Sequence, residues 1–311
     1  MDRLQWLSAD LPTDLPGIEI GPLDKPILER PRFAVSYIDH LDRAGLQAKY
    51  STHSTVDPER IPEIDFVVGS AGLRQSVTTE DGKFYYLIAS HVIEHIPNPI
   101  DWFADVGALL HGNGRVVLAV PDHRYCFDAL RRTTTAGEWV EAALSGHSRP
   151  SPGRIFDALY NEVTHQGAIA WGAGVDESGY KRSRGAGAAL EIARRSHYSA
   201  EYFDVHCWTF TPESFCNLMR DLVLAGAVDF ALEAITPSHG CEFFVRLVKA
   251  EGMLRSMVAA TYPAAGGRYD RLPKGFDAVG YCRFNPDVVA AEIDPNDHYL
   301  EYGLQEGRRW S

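Results

Sequence analysis

Residues 84 to 99 read FYYLIASHVIEHIPNP. Phe84 to Ala89 is a short apolar run rich in aromatic and branched side chains, the pattern of a strand buried on both faces. It runs into His91-x-x-Glu94-His95, after which Pro97 and Pro99 interrupt the chain. From Pro99 to Leu110, Ile100, Phe103, Ala104, Val106, Leu109 and Leu110 recur at helical spacing behind a proline start, and Gly112 and Gly114 are expected to end that helix. The string H-x-x-E-H also matches the inverted zinc-protease signature. Such a site needs both histidines on one face of a helix, together with a third ligand and a catalytic base. Here His91 falls at a strand end and the prolines prevent a regular helix from continuing, which sets the protease reading aside. Glu94 and His95 are then expected to tie the loop to the next helix.

Upstream, Gly17 to Ile20 is an apolar run that stops at Gly21-Pro22, Arg32 to Asp39 is a second strand ending in an acid, and Ile64 to Val68 is a third ending at Gly69-Ser70. His40 to Tyr50 has helical character. Downstream, Arg115 to Val120 makes a fifth strand closed by Pro121. After a helix from Pro212 to Gly226 capped by Thr211, Phe230 to Ile235 and Glu242 to Val248 form an antiparallel hairpin. Strands alternating with helix-sized connections predict an α/β fold with a Rossmann-like seven-stranded, mostly parallel sheet, helices on both faces and an antiparallel last strand. Between Asp122 and Thr211 lies an insertion of helical pieces and glycine-rich loop, including Gly167 to Gly187, for which a substrate lid is the preferred reading. Near Gly266 the composition shifts toward Gly, Asp and Tyr, marking a linker.

Composition narrows the function classes. At 311 residues and 45% hydrophobic content the chain is expected to be a soluble globular protein with a sizeable core. No basic start with an apolar run and no long apolar stretch are visible, so neither signal peptide nor membrane span is expected and the default compartment is the cytoplasm. The five scattered cysteines argue against a disulfide framework or a cysteine zinc site. A net charge of −12 speaks against nucleic-acid binding. Lys181, Arg182, Arg184, Arg194 and Arg195 read as a solvated face.

In an open α/β sheet ligands bind beyond the carboxyl ends of the strands. Those ends offer Glu19-x-Gly21 and then Asp39, at about the ~20-residue separation of a glycine turn from a ribose-binding acid. With IEIGP, YIDHL, YYLIASHVIEHIPNP and GRVVLAVPD in that order, the chain from Ile18 to Val248 resembles a class I S-adenosylmethionine-dependent methyltransferase of the type 11 branch. The resemblance implies a methyltransferase domain over residues 1–265, with its insertion at about 126–210, and a small helical segment over 266–311. It implies S-adenosylmethionine as cofactor, with Glu19 and Gly21 near its methionine part, Asp39 on the ribose, Gly69 and Ser70 beside the adenine, and Ser90 and His91 flanking it after the fourth strand. Pro22 departs from the family's glycine loop.

Methyl transfer to oxygen needs an in-line electrophilic methyl and a base for the acceptor hydroxyl. Pro121-Asp122-His123-Arg124-Tyr125 and Asp204-Val205-His206-Cys207-Trp208 supply carboxylates and imidazoles, and His123 or His206 is the expected base. Asp122, His123 and His206 are alternatively a set for a divalent metal, although none is assigned. Residues 284 to 309 are similar to a short module found beside bacterial glycosyltransferases and polysaccharide-modifying enzymes, with Asp294, Pro295, His298, Tyr299, Gly303, Glu306, Gly307 and Arg308 at its pattern positions. With Trp139, Trp171 and Trp208 as sugar-stacking or core residues, this points to O-methylation of a saccharide in cell-surface glycan synthesis, with glycosyltransferases as partners. A non-catalytic binding module in a polysaccharide assembly and a metal-dependent hydrolase are the alternatives.

Overall fold

A computed structural model describes residues 2–69, 72–77, 81–199, 201–249, 276, 281–282, 284–291 and 293–309. Its strands are β1 (Gly17–Ile20), β2 (Val35–Asp39), β3 (Phe66–Val67), β4 (Phe84–Ser90), β5 (Leu110–Pro121), β6 (Val163–His165), β7 (Tyr180–Arg182), β8 (Phe230–Ile235) and β9 (Glu242–Lys249). Seven of them form one sheet in the order β3-β2-β1-β4-β5-β9-β8, while β6 and β7 pair separately. Pairing from β3 through β5 is parallel, and β9 runs antiparallel to both β5 and β8. The expected sheet and its antiparallel end are present.

Alternation along each strand divides the core into two layers. Ile18, Ile38, Leu87, Val116, Leu118 and Val245 face one layer. That layer is covered by α4 (Pro99–Leu109), α5 (Ala136–Leu144) and α8 (Pro212–Leu224), whose Phe103, Trp139 and Phe215 are buried in it. Asn98 caps α4 by accepting from Asp101 N–H, and Thr211 caps α8 by accepting from Ser214 N–H. Val35, Tyr37, Tyr86, Ile88, Val117 and Phe244 face the other layer, covered by α1 (Arg3–Ser8) through Leu7 and by Leu11, Ile27, Leu28 and Phe33. Gly17 is required there, since a Cβ would lie 1.9 Å from the Tyr86 ring.

One expectation changes. The glycines at 112 and 114 do not end α4, which stops at Leu109 and passes directly into β5. They sit in a bulge between the Phe84–Leu110 and Tyr86–Arg115 pairs, where a Cβ on Gly114 would come within 2.7 Å of Leu110 Cβ. Between β1 and β2, residues 21–34 form no helix. Pro22, Pro26 and Pro31 each remove a backbone donor from that stretch.

The remaining helices are α2 (Arg43–Tyr50), α3 (Leu73–Ser76), α6 (Pro152–Asn161) and α7 (Ala186–Tyr198). Within the insertion, α6 and α7 bury Ile155, Ala158, Ala189 and Ala193, and the β6–β7 ribbon spans the glycine-rich stretch. The residues about the expected 265/266 boundary lie outside those described. In the C-terminal segment, α9 (Pro286–Ala290) and α10 (Pro295–His298) continue into a π-helical turn at Tyr299–Gly303. Tyr281, Val288 and Tyr299 form its small core with Phe276. Most of its pattern residues hold this local fold. Asp294 accepts from Asn296 and Asp297 N–H, His298 Nδ1 lies 2.8 Å from Tyr281 Oη, and Arg308 pairs with Asp287 and Glu306. A Cβ at Gly303 would strike that tyrosine oxygen at 2.2 Å.

Candidate active site

The order of the parallel strands reverses between β1 and β4, and in open α/β sheets the carboxyl ends of the strands at such a switch point leave the crevice in which ligands bind. Gly21 follows β1 at φ 69°, a left-handed conformation that glycine adopts without a Cβ penalty. A Cβ there would meet Val92 Cγ2 at 3.4 Å. Asp39 ends β2, and its Oδ1 accepts from His40 N–H (2.7 Å) and meets His40 Nδ1 (2.5 Å). His40 Nε2 in turn lies 2.9 Å from Lys49 Nζ. Gly69, past β3, has open space where a Cβ would stand, and its N–H is held by Ser76 Oγ at 3.0 Å. Ser70 lies outside the described residues. Gly21, Asp39 and Gly69 thus stand at the tips of three neighbouring strands. Glu19 is arranged differently, because its two oxygens accept from Ile27 N–H (2.8 Å) and Leu28 N–H (2.9 Å) and anchor the loop after β1.

Beyond β4, Ser90 Oγ accepts from Arg3 at 2.6 Å, and Arg3 also binds Glu242 on β9. His91 has φ 54°, uncommon for a side-chain-bearing residue. Its ring is held by Glu242 Oε2 at 2.9 Å and faces Glu94 Oε1 at 3.5 Å. Burial opposes its charge, yet the carboxylates of Glu242 and Glu94 outweigh burial and push its pKa up to about 9.

A second group of titratable side chains adjoins this one. Glu94 is fully buried, with neither carboxylate oxygen hydrogen-bonded. His206 Nε2 approaches Glu94 Oε1 at 3.9 Å, while its Nδ1 meets Asp128 at 2.5 Å. Asp128 is fixed by Arg131 at 2.8 Å, and Arg131 donates also to the His206 carbonyl at 2.8 Å and to Asp157. His95 Nδ1 meets Asp204 at 2.8 Å. One ligand atom each from Glu94, His95 and His206 lies within 4.8 Å of the others.

The post-β5 string divides. Asp122 accepts from the Arg124 side chain (2.9 and 2.6 Å) and from Ser238 Oγ (2.5 Å), so its carboxylate pins the turn after β5. His123 Nδ1 is buried without a hydrogen-bond partner. Burial lowers its pKa against the pull of Asp122 and Asp128, which favours the neutral imidazole. Asp128 therefore influences both expected bases, His123 and His206, while Asp122 is engaged elsewhere. Of the three tryptophans, Trp139 and Trp208 fill the core, whereas Trp171 is part-exposed and donates to the Arg124 carbonyl. Asp128, Arg131, Arg3 and Glu242 were not legible as site residues. Apart from the pairing of Asp128 with Arg131, their partners lie tens to hundreds of positions away, and no local pattern announces such pairings.

A seven-stranded sheet of this order with polar groups gathered at the carboxyl end of β1 and β4 is a Rossmann-like catalytic scaffold. Residues 4–222 match the family model described as a methyltransferase domain, and the chain belongs to that family. No curated protein matches it. Solved structures similar to it include an S-adenosylmethionine dependent methyltransferase from Mesorhizobium loti, at 12% identity and TM-score 0.40 over 79% of this chain and 98% of that one. Another is a SAM-dependent methyltransferase from Methanosarcina mazei, at 11% identity and TM-score 0.39 over 80% and 99%. A third is the 1,6-didemethyltoxoflavin-N1-methyltransferase of Burkholderia thailandensis, at 12% and 0.39 over 80% and 76%. Among the described residues no helix is long and apolar enough to cross a membrane.

Proposed function

We propose that the chain transfers a methyl group from S-adenosylmethionine to a hydroxyl of a saccharide used in cell-surface glycan synthesis. The observation that carries the cofactor assignment is the alignment of Gly21, Asp39 and Gly69 along the crevice edge of β1, β2 and β3. The Gly21 backbone permits close approach, and the Asp39 carboxylate would accept from ribose hydroxyls. Gly69 leaves room for a flat ring beside β3. Ser90 and His91 border the same crevice from β4, and Glu19 serves it by holding the loop after Gly21.

When bound, the cofactor supplies an electrophilic methyl on a sulfonium. The new bond forms from the acceptor oxygen to that carbon, the carbon–sulfur bond breaks with its electron pair passing to sulfur, and the hydroxyl proton must leave. His123 and His206 are the imidazoles that would take it, each under the influence of Asp128. The saccharide assignment draws support from the C-terminal segment, whose pattern residues build a fold of their own, and from the part-exposed Trp171.

The test is the melting temperature of the full chain with and without S-adenosylmethionine. Saturation at about a hundred times the dissociation constant adds ~2.7 kcal/mol to the folded state, a rise of several degrees for a protein of this size. The rise should shrink in Asp39→Ala. No rise in the wild type would favour the non-catalytic module instead.

A further inference from the structure

We propose that Glu94, His95 and His206 bind a divalent first-row transition-metal cation. Their ligand atoms already lie within 4.8 Å of one another, so small rotations would bring them to the ~2.0–2.2 Å bonds that imidazole and carboxylate make to such ions. Glu94 is the independent sign. A buried carboxylate normally collects hydrogen-bond donors, yet both of its oxygens lack one.

Both imidazoles are also prepared as ligands. His206 meets Asp128 through Nδ1 at 2.5 Å, and His95 meets Asp204 through Nδ1 at 2.8 Å. A carboxylate on Nδ1 keeps the proton there and leaves the Nε2 lone pair free to bind, the arrangement that supports metal-bound histidines, and His206 Nε2 is the atom that approaches Glu94 Oε1 at 3.9 Å. Arg131 locks Asp128 in turn. The backbone is set as well, since Cys207 and Trp208 N–H both donate to the Glu94 carbonyl (2.7 and 3.2 Å), and Trp208 Nε1 donates to Ile96 O at 2.6 Å. Residues 206–208 are thereby strapped onto residues 94–96. Two nitrogens and one oxygen favour a transition metal over magnesium or calcium.

This set differs from the protease arrangement, because His91 of the H-x-x-E-H string turns to Glu242 and His206 takes the third place. It also removes His206 from the role of base and leaves His123. Three protein ligands leave a coordination position free. If the methyltransferase reading holds, that position is where the acceptor oxygen would sit.

The experiment is cation binding by the full-length protein after chelator treatment, with Co(II) followed by visible absorption and Zn(II) by equilibrium dialysis. One equivalent per chain is expected, with affinity reduced at least ~10-fold in His206→Ala and in His95→Ala, and ~10–100-fold in Asp128→Asn, which touches no cation. His95 is part-exposed, so His95→Ala retains the core if the more buried variants do not fold. Absence of saturable binding in the wild type, or unchanged affinity in a folded His95→Ala, would overturn the site and leave Glu94 as the counter-ion of His91. The cofactor-induced melting shift is read separately, so failure here and failure of the methyltransferase reading are distinguishable.

Discussion

Glu19 shows what one buried charge does to this sheet. It lies among Tyr37 and Tyr86, and burial raises its pKa to about 7 although Ile27 N–H, Leu28 N–H and Arg3 favour the ionised form. The folded protein thus binds more protons than the unfolded chain between the ordinary glutamate value of 4.5 and about 7, and stability from this group is lost as pH rises through that window. His91 acts in the same direction at higher pH: its stabilisation is complete below 6.5 and disappears as pH passes about 9. The unfolding midpoint of the wild type should accordingly fall from pH 5 toward pH 9. Glu19→Gln should flatten the lower part of that fall and His91→Asn the upper part; parallel curves in all three proteins would refute both assignments. At this scale the sequence was informative about type and silent about partner. Glu19 stood out because an acid before a strand-end glycine is a recognisable pattern, but the spacing does not say whether a carboxylate meets a ligand or two backbone donors of its own chain.

Among the elements, the segment from Gly21 to Ala34 carries the sharpest departure. A helix would ordinarily connect parallel strands here, but prolines and the Glu19 anchor hold an irregular loop that still covers the second face of the sheet through Ile27, Leu28 and Phe33. Gly21 begins this loop at positive φ. Gly21→Ala should therefore lower stability by ~1–2 kcal/mol through backbone strain and weaken S-adenosylmethionine binding by shifting the backbone that borders the crevice. Chemical denaturation and the ligand-induced melting shift read the two effects separately, and a variant with both unchanged would show that the loop does not border the ligand. The seven strands of the main sheet and α4 and α8 were legible because their apolar periodicity and caps are local signals, whereas the short β6–β7 ribbon was not. Gly112 and Gly114 misled for the converse reason: glycine after an apolar helix looks like a stop, and only the neighbouring strand reveals that it serves a bulge.

For the molecule as a whole, the α/β class and the antiparallel end of the sheet followed from the succession of elements, whereas the strand order and the site depended on contacts between distant segments. Arg3, Ser90, His91 and Glu242 bring together the beginning of the chain, the middle of the sheet and its penultimate position. Strand β9 enters between β5 and β8 although it is made after both. A chain ending at Gly240 should lose cooperative thermal unfolding and one ending at Lys249 should keep it; retention in the shorter chain would contradict this dependence. During synthesis, then, the long edge of β5 waits for its last neighbour while residues 122 to 249 emerge. Until that arrival an apolar strand edge stands unpaired, the kind of template on which another nascent chain can assemble. Tying His91 and Arg3 to Glu242 makes completion of the crevice coincide with closure of that edge, so the half-made protein exposes its aggregation hazard only while it is still incapable of its chemistry.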